Sequence, residues 1–395
     1  MGAHPAGRLE DAWNALWGKV FRRRGWRPLI VAYQGYGRAG AGEPFVRVLA
    51  RVLLVPAAPV PVPAPSGGPT TGQDASLTGG RGRLREWSRR GRPAHHSAPV
   101  RTPPPGLPDR RGWRAFFTLP AAHARVRVSI GDTDHEVSAD RSGIIDARLP
   151  APDLSPGWQQ VTLRIGQVEP ADGAPEVSVD AVTAPVLMVA GDQRFGLISD
   201  IDDTVIRTLL PRPMLAAYNT LVLRETARRP VPGMAELYRS LLAEHPGAPT
   251  VYVSTGAWNT AGMLTRFLYR HGYPAGPLLL TDWGPTNTGW FRSGQDHKRA
   301  CLAALAADLP AVRWILFGDD GQHDPSLYAE FARQHPDRVR VIAIRQLTVT
   351  EQVLAHGTAT NRPGEHREPA RAAVPEVRAP DGRALAVALT GFPLT

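Results

Sequence analysis

Hydrophobic and polar positions change their pattern along the chain. Apolar residues at every third or fourth position from Leu9 to Phe21 predict an amphipathic helix. Two apolar runs, 29–33 and 45–55, predict strands, and a glycine-rich turn at 35–42 separates them. From 113 to 190, short apolar runs alternate with polar turns. This region predicts a small antiparallel β-sandwich-like domain.

After residue 190, predicted strands alternate with predicted helices. Such alternation favours an α/β fold, in which a parallel sheet carries helices on both faces and the site lies at the carboxyl ends of the strands. The predicted strands are 195–199, 250–254, 277–281, 312–317 and 339–344. The predicted helices are 233–244, 258–269, 298–308 and 325–334.

These patterns divide the chain of 395 residues into five segments. Residues 1–55 hold the amphipathic helix and the first strands, and residues 56–110 are a flexible insertion rich in Pro, Gly and Arg. Residues 111–190 form the β-sandwich-like domain, and residues 191–352 form the α/β domain. Residues 353–395, rich in Ala, Pro, Arg and Glu, are predicted to be mostly loose, with a short apolar end that can dock back.

The positive charge lies almost entirely in the first quarter of the chain. Residues 1–110 hold 17 basic and 6 acidic residues, a net charge of +11, whereas residues 111–395 hold 29 and 30, a net charge of −1. Any attraction to an anionic membrane or to nucleic acid is therefore expected in residues 1–110.

Cysteine content and hydropathy indicate the compartment. A single cysteine, Cys301, excludes an internal disulfide and a cysteine metal cluster, as expected in a reducing compartment. Charged residues interrupt the first apolar stretch, so no secretion signal is predicted. The longest uncharged apolar run, 52–69, is broken by prolines and predicts no spanning helix. We expect a cytoplasmic protein, with peripheral association at the inner membrane face as an option.

Two carboxylates follow the first strand of the α/β region. Asp200 and Asp202 lie at positions i and i+2 directly after the apolar run 195–199. This spacing suits a nucleophile paired with an acid/base. An Asp-rich turn that binds nothing is the alternative interpretation.

Two further strand ends carry polar residues. Ser254 follows the second strand, where a hydroxyl and backbone amides can cradle a phosphate, although a turn residue capping the next helix would look the same. Asp319, Asp320 and Asp324 follow the fourth strand and offer oxygens to a hard cation. Asp324 could instead cap the helix that begins at Pro325.

Lys298 is conspicuous because all but two of the 46 basic residues are arginines. A lysine just before a predicted helix indicates a site that needs a compact point charge. Taken alone, a solvated surface lysine is the more common explanation. Its order among the other motifs favours a functional role.

These motifs resemble those of the haloacid dehalogenase-type phosphotransferases. That family carries Asp-x-Asp-x-Thr, then Ser or Thr, Lys, and Gly-Asp with a further Asp, and all four occur in order over residues 195–350. More narrowly, residues 198–205, 252–254 and 318–324 resemble the catalytic domain of the actin-patch-associated phosphatidate phosphatases and their bacterial relatives. The resemblance extends upstream to the Tyr-Gln-Gly-Tyr-Gly element at 33–37.

The resemblance implies a role for each motif residue. Asp200 would attack phosphorus and form an aspartyl-phosphate, and Asp202 would act as acid and then base. Ser254 and Lys298 would offset charge on the transferring group. Thr204 would steady the turn around Asp202.

The resemblance also implies Mg²⁺ as cofactor. Asp200, the backbone carbonyl of Asp202 and Asp319 would hold the ion, with Asp320 and Asp324 as further ligands. The implied activity is that of a phosphoric monoester hydrolase acting on phosphatidate or a related lipid phosphomonoester.

The basic first quarter leaves the partner open. Six arginines within 81–92 and the tryptophan-bearing helix at 9–21 could lie on an anionic bilayer. They could equally be a helix packed on the β domain and a solvated surface. A phosphatase acting on nucleic-acid ends or on soluble phosphomonoesters is an alternative, although the aromatic pattern makes a nucleic-acid partner unlikely. A non-catalytic membrane adaptor is a further alternative.

Overall fold

The structure is a computed structural model that describes residues 20, 24–40, 42–56, 119–166, 181–207, 228–281, 294–321, 323–356 and 374–393. The predicted N-terminal helix at 9–21, apart from Val20, lies outside the described residues. The same holds for residues 57–110 of the insertion predicted at 56–110, and for residues 113–118 of the first apolar run, 113–119, of the β-rich region.

Among the described residues of the first half, nine strands form one sheet. Its strands run in the order β1-β3-β2-β9-β8-β5-β6, and β4 and β7 also pair with β3. Every pairing is antiparallel except that of β2 with β9, which is parallel. The strands are β1 (Trp26–Ala32), β2 (Gly35–Ala39), β3 (Phe45–Pro56), β4 (Leu119–Pro120), β5 (Arg125–Ile130), β6 (Thr133–Ser138), β7 (Ile144–Pro150), β8 (Gly157–Ile165) and β9 (Val182–Ala190).

Alternation of buried and exposed positions explains this sheet. In β5, Val126 and Val128 are buried and Arg125 and Arg127 are exposed, as the period of two requires. The predicted turn at 35–42 is instead largely strand β2, where a Cβ on Gly37 would lie 2.2 Å from the Phe45 carbonyl oxygen. The strands belong to one hydrogen-bonded sheet, so the predicted division into two stacked sheets is not confirmed.

The second half contains the predicted parallel sheet. Its strand order is β14-β13-β10-β15-β16-β17, and every pairing is parallel. This confirms the predicted α/β class. The strands are β10 (Phe195–Ser199), β13 (Thr250–Ala257), β14 (Leu278–Thr281), β15 (Arg313–Asp319), β16 (Val339–Arg345) and β17 (Glu376–Ala379), and a separate short pair joins β11 (Ile206–Arg207) to β12 (Arg229–Pro230).

Six helices accompany this sheet in the part of the chain that the structure describes. A 3₁₀ turn, Trp258–Thr260, precedes the second of them, and another, Pro336–Arg338, precedes β16. The helices are α1 (Met234–Glu244), α2 (Ala261–Arg270), α3 (Gly294–Asp308), α4 (Asp324–Gln334), α5 (Val349–His356) and α6 (Gly382–Leu389). Their haloacid dehalogenase-like arrangement stays a prediction.

The C-terminal residues 374–393 join the parallel sheet. Strand β17 pairs with β16, and Asp381 caps α6 by accepting hydrogen bonds from the backbone N–H groups of Arg383 and Ala384. Leu385 and Leu389 are buried in the large core. The apolar end predicted to dock back is therefore part of the fold, and a segment of the region predicted to be loose is ordered.

The Tyr33–Gly37 element contacts the α/β region. The Tyr33 ring stacks on Trp258 with centroids 4.9 Å apart. The Gln34 side chain accepts a hydrogen bond from the Gly276 amide at 3.0 Å. Tyr36 donates to Asp308 at 2.8 Å. The first sheet thereby braces the chain that follows β13 and the end of α3.

Candidate active site

The Asp200–Asp202 turn begins where β10 ends. All five residues of β10 are buried, so the chain leaves the sheet at its carboxyl edge, between β13 and β15. Asp203 has φ +59°, a left-handed conformation that Asp tolerates better than most residues. Its amide donates to the Ile206 carbonyl at 2.8 Å. The turn thus directs Asp200 inward and leaves Asp202 partly exposed.

Lys298 lies against the first of these carboxylates. Its Nζ donates to Asp200 Oδ1 at 2.7 Å and to Asp324 Oδ1 at 2.6 Å, and all three side chains are buried. These two ion pairs raise the pKa of the Lys298 ammonium, although burial alone would lower it. Lys298 is therefore charged at neutral pH, and it is not a surface lysine.

Asp319 and Asp324 complete a buried acidic group. Carboxylate oxygens of Asp200, Asp319 and Asp324 lie within 4.8 Å of one another. Gly318 makes this approach possible, because a Cβ there would lie 2.8 Å from Asp324 Oδ2 and 2.7 Å from Tyr328 Cε2. Asp324 is the first residue of α4, and its Oδ1 is held by Lys298.

Ser254 connects the second strand end to Asp202. Its Oγ donates to Asp202 Oδ2 at 3.2 Å and accepts the Gly256 amide at 3.0 Å. Ser254 is buried, and Asp202 is partly exposed. The hydroxyl therefore orients the carboxylate beside the Asp200 turn.

Asp320 and Thr204 lie apart from this arrangement. Asp320 Oδ1 accepts the Leu347 amide at 2.8 Å, and Asp320 is not in the group of three carboxylates. The Thr204 hydroxyl is buried and has no hydrogen-bond partner among the described residues. In the described part of the chain, backbone hydrogen bonds hold the turn, and the Thr204 hydroxyl makes none.

The hydrogen bonds and positive charge around the buried carboxylate groups do not fully offset the cost of their burial. Burial raises the pKa of Asp200 and of Asp319 well above the ordinary Asp value, and neighbouring carboxylates add to the rise, while Lys298 opposes it. One oxygen of each of Asp200, Asp319 and Asp324 is buried without a hydrogen-bond partner in the described part of the chain. Three orphan carboxylate oxygens are a donor set suited to a hard divalent cation.

Comparison with known proteins agrees with this geometry. Residues 195–346 match the family model described as "Phosphatidate phosphatase APP1, catalytic domain". This segment is therefore similar to the catalytic domain of that family. The matched segment runs from the start of β10 to just past the end of β16, so it contains every site residue described above. The predicted resemblance is confirmed.

Curated relatives match over the same length of chain. Phosphatidate phosphatase APP1 of Saccharomyces cerevisiae is 29% identical over 153 residues, which are 38% of this chain and 25% of that protein. An uncharacterized protein of Schizosaccharomyces pombe is 26% identical over 152 residues, again 38% of this chain and 25% of the relative. The chain thus spans about a quarter of the length of the curated relatives that it matches.

A solved structure with partial overlap is a carbohydrate acetylesterase from Xanthomonas citri. The two proteins are 12% identical, and the match covers 57% of this chain and 62% of the esterase chain. The TM-score is 0.20, which is too low to indicate a common fold.

Among the described helices, none combines the length and apolar character needed to cross a bilayer.

The sequence analysis gave no role to four residues around the site, which are Ser199, Tyr238, Arg345 and Glu351. Ser199 Oγ lies 2.7 Å from the Tyr238 hydroxyl and donates to the Asp200 carbonyl at 2.6 Å. Arg345 ends β16 at the same edge of the sheet, where it pairs in register with Asp319. Glu351 belongs to a Thr-x-x-Glu capping box, a sequence signal that predicts a helix start but no contact with a site.

Proposed function

We propose that this protein is a metal-dependent phosphoric monoester hydrolase that acts on phosphatidate or a related lipid phosphomonoester through an aspartyl-phosphate. The observation that carries the proposal is the buried group of Asp200, Lys298, Asp319 and Asp324 beside Asp202, within a catalytic domain of the phosphatidate phosphatase APP1 family. An Asp-rich turn that binds nothing would not bury three carboxylates and a lysine together.

In the first step, Asp200 is the nucleophile. A carboxylate oxygen of Asp200 forms a bond to phosphorus while the ester P–O bond breaks. Asp202 gives its proton to the departing alcohol oxygen. The hydrogen bond from Ser254 to Asp202 supports this role because it fixes the carboxyl group next to the Asp200 turn.

In the second step, Asp202 is the base. It takes a proton from water, the water oxygen bonds to phosphorus, and the bond between phosphorus and Asp200 breaks. Inorganic phosphate leaves, and both carboxyl groups return to their starting states. The Lys298 ammonium, 2.7 Å from Asp200, stabilises negative charge on the phosphoryl oxygens in both steps.

The donor set supports Mg²⁺ as the cofactor. Asp200 and Asp319, with Asp324 beside them, would hold the ion, since each has a buried oxygen without a partner. A bound divalent cation would supply positive charge that lowers the raised pKa of Asp200 and of Asp319 and that offsets the charge of the phosphate. Asp320 is the weakest candidate ligand because its carboxylate is engaged by the Leu347 amide.

Two observations support a lipid substrate: the yeast relative is a phosphatidate phosphatase, and the first quarter of this chain is positively charged. Residues 1–110, with a net charge of +11, would bring the catalytic domain to an anionic membrane surface.

A comparison of substrates tests the proposal. Purified protein with Mg²⁺ should release phosphate from phosphatidate faster than from lysophosphatidate, p-nitrophenyl phosphate or 5′-phosphorylated oligonucleotides, and Asp200→Asn should release none. Faster release from oligonucleotides would favour the nucleic-acid alternative, and no release from any substrate would favour the adaptor.

The membrane contact has its own test. Liposomes containing phosphatidate should carry the full chain in flotation, and removal of residues 1–23 and 57–110 should abolish this. Stronger retention of the chain by single-stranded DNA on filters at the same salt concentration would contradict the membrane assignment.

A further inference from the structure

A buried arginine, Arg345, donates a hydrogen bond to the turn that carries Asp202. Arg345 Nη1 donates to the Asp203 carbonyl oxygen at 2.6 Å. Arg345 is 1% exposed and ends β16, next to the strand that delivers Asp319. The backbone of Asp203 has a left-handed conformation, which is unfavourable for a residue other than glycine. A hydrogen-bond donor to its carbonyl oxygen stabilises the turn in this conformation. The contact is one peptide unit away from Asp202.

The same guanidinium is fixed on its other sides. Nη2 donates to Glu351 Oε1 at 2.7 Å, and Nε donates to the Pro380 carbonyl at 3.2 Å. Three bonds from one planar group allow little freedom to its position. They also connect the turn to α5 and to the C-terminal segment that contains β17.

Glu351 is itself held in place. Its Oε2 accepts the Thr348 amide at 2.9 Å and the Thr348 hydroxyl at 3.0 Å, and its Oε1 also accepts from Arg207 at 2.9 Å. Burial alone would raise the pKa of Glu351, but the hydrogen bonds from Thr348 and the charge of Arg345 outweigh it and lower the pKa to about 2. The Glu351 carboxylate is therefore ionised throughout the neutral range.

We infer that Arg345 and Glu351 are positioning residues, which hold the Asp203 carbonyl so that Asp202 stays in place for proton transfer. The inference rests on the proposed function, in which Asp202 is the acid and base. Glu351 lies beyond the segment that matches the family model. Arg345 contacts the turn through the backbone carbonyl of Asp203, and Glu351 contacts Arg345.

A leaving-group comparison separates this role from a merely structural one. Protonation by Asp202 matters for an alcohol leaving group, whereas p-nitrophenolate leaves without it. Arg345→Lys keeps a charge but cannot make three bonds to the same partners. It should lower kcat/KM for phosphatidate by about tenfold or more while lowering that for p-nitrophenyl phosphate by less than about threefold.

The phosphoenzyme gives a second readout. Because Asp202 also activates water, Arg345→Lys should increase the burst of p-nitrophenolate relative to the steady rate. Glu351→Gln, which keeps the shape and the capping box, should shift both readouts in the same direction by a smaller factor. If Arg345→Lys does not fold, the two readouts of Glu351→Gln test the inference. Arg378→Lys, which alters an exposed pair with Glu376 on β17, is the matched control and should behave as wild type.

Equal losses with both substrates and an unchanged burst would overturn the inference, since a smaller folded fraction lowers every rate in proportion. Wild-type rates in both variants would overturn it as well. A wild-type protein that forms no phosphoenzyme and hydrolyses neither substrate would instead overturn the proposed function, and the inference with it.

Discussion

Replacement of Lys298 by Met removes the only cation described within hydrogen-bond distance of the buried acidic group. Two charge-assisted hydrogen bonds are lost, at 2.7 Å and 2.6 Å, and Asp200 and Asp324 stay buried. The three side chains are at most 6% exposed, so solvent screens the loss little. Breaking a buried ion pair on one side costs about 3–5 kcal/mol, and we expect a loss of stability in this range for metal-free protein at pH 8.

The loss should depend on pH with a definite sign. Burial raises the pKa of Asp200 and Asp319, and removal of Lys298 raises the pKa of Asp200 further. A folded state with a raised carboxyl pKa binds protons more tightly than the unfolded chain. The cost is therefore present above the folded-state pKa and decreases as the pH falls toward the ordinary value of about 3.9, by up to about 1.4 kcal/mol per pH unit for each carboxyl group.

Urea denaturation in the presence of EDTA at pH 8 and pH 5.5 measures both the loss of stability in Lys298→Met and its dependence on pH. Lys298→Met should lie closer to wild type at pH 5.5 than at pH 8. Arg299→Met, on the same helix but with an exposed side chain, should differ little from wild type at either pH. A Lys298→Met loss below about 1 kcal/mol at pH 8, or an equal loss at both pH values, would refute the reasoning.

Three further variants test other parts of the account. Asp202→Asn should lower the turnover of phosphatidate by about 10²–10⁴-fold and still bind Mg²⁺ by calorimetry; unchanged turnover would exclude Asp202 as the acid. Gly318→Ala should lower the free energy of unfolding by about 1–3 kcal/mol, because its Cβ would meet Asp324, and an unaltered urea midpoint would contradict this. Tyr36→Phe should cost about 1–2 kcal/mol in the same assay, since it removes the hydrogen bond to Asp308; no loss would mean that the contact between the first sheet and α3 contributes little.

The parallel sheet could be predicted because its central strands are buried on both faces. Strand β10 has the predicted bounds, and β15 and β16 differ from prediction by one or two residues at their ends. Strand β6, with the sequence Thr-Asp-His-Glu-Val-Ser, was missed because it lies at a sheet edge and has no buried residue. Strand β2 was missed because its glycines are typical of a turn, whereas they are required where β2 lies close to β3.

The acidic residues and Lys298 could also be predicted, since the acidic residues follow strands and Lys298 comes in order within a recognisable motif. Lys298 lies inside α3, however, and not just before the helix as its position in the sequence indicated. The contact of Arg345 with the turn that carries Asp202 could not be predicted from the sequence. Arg345 is one of 44 arginines, and nothing local separates it from those on the surface. Its contact with Asp203 spans 142 positions and depends on how β16 lies relative to β10. Such contacts follow from tertiary structure and not from local pattern.

Acid quenching after incubation with ³²P-labelled phosphatidate and Mg²⁺ tests the central claim most directly. We predict a covalent label on the protein that maps to the peptide containing Asp200. Hydroxylamine should remove the label, as for an acyl phosphate, and the Asp200→Asn variant should carry none. Release of phosphate from phosphatidate without any labelled protein, or a label retained by Asp200→Asn, would contradict it.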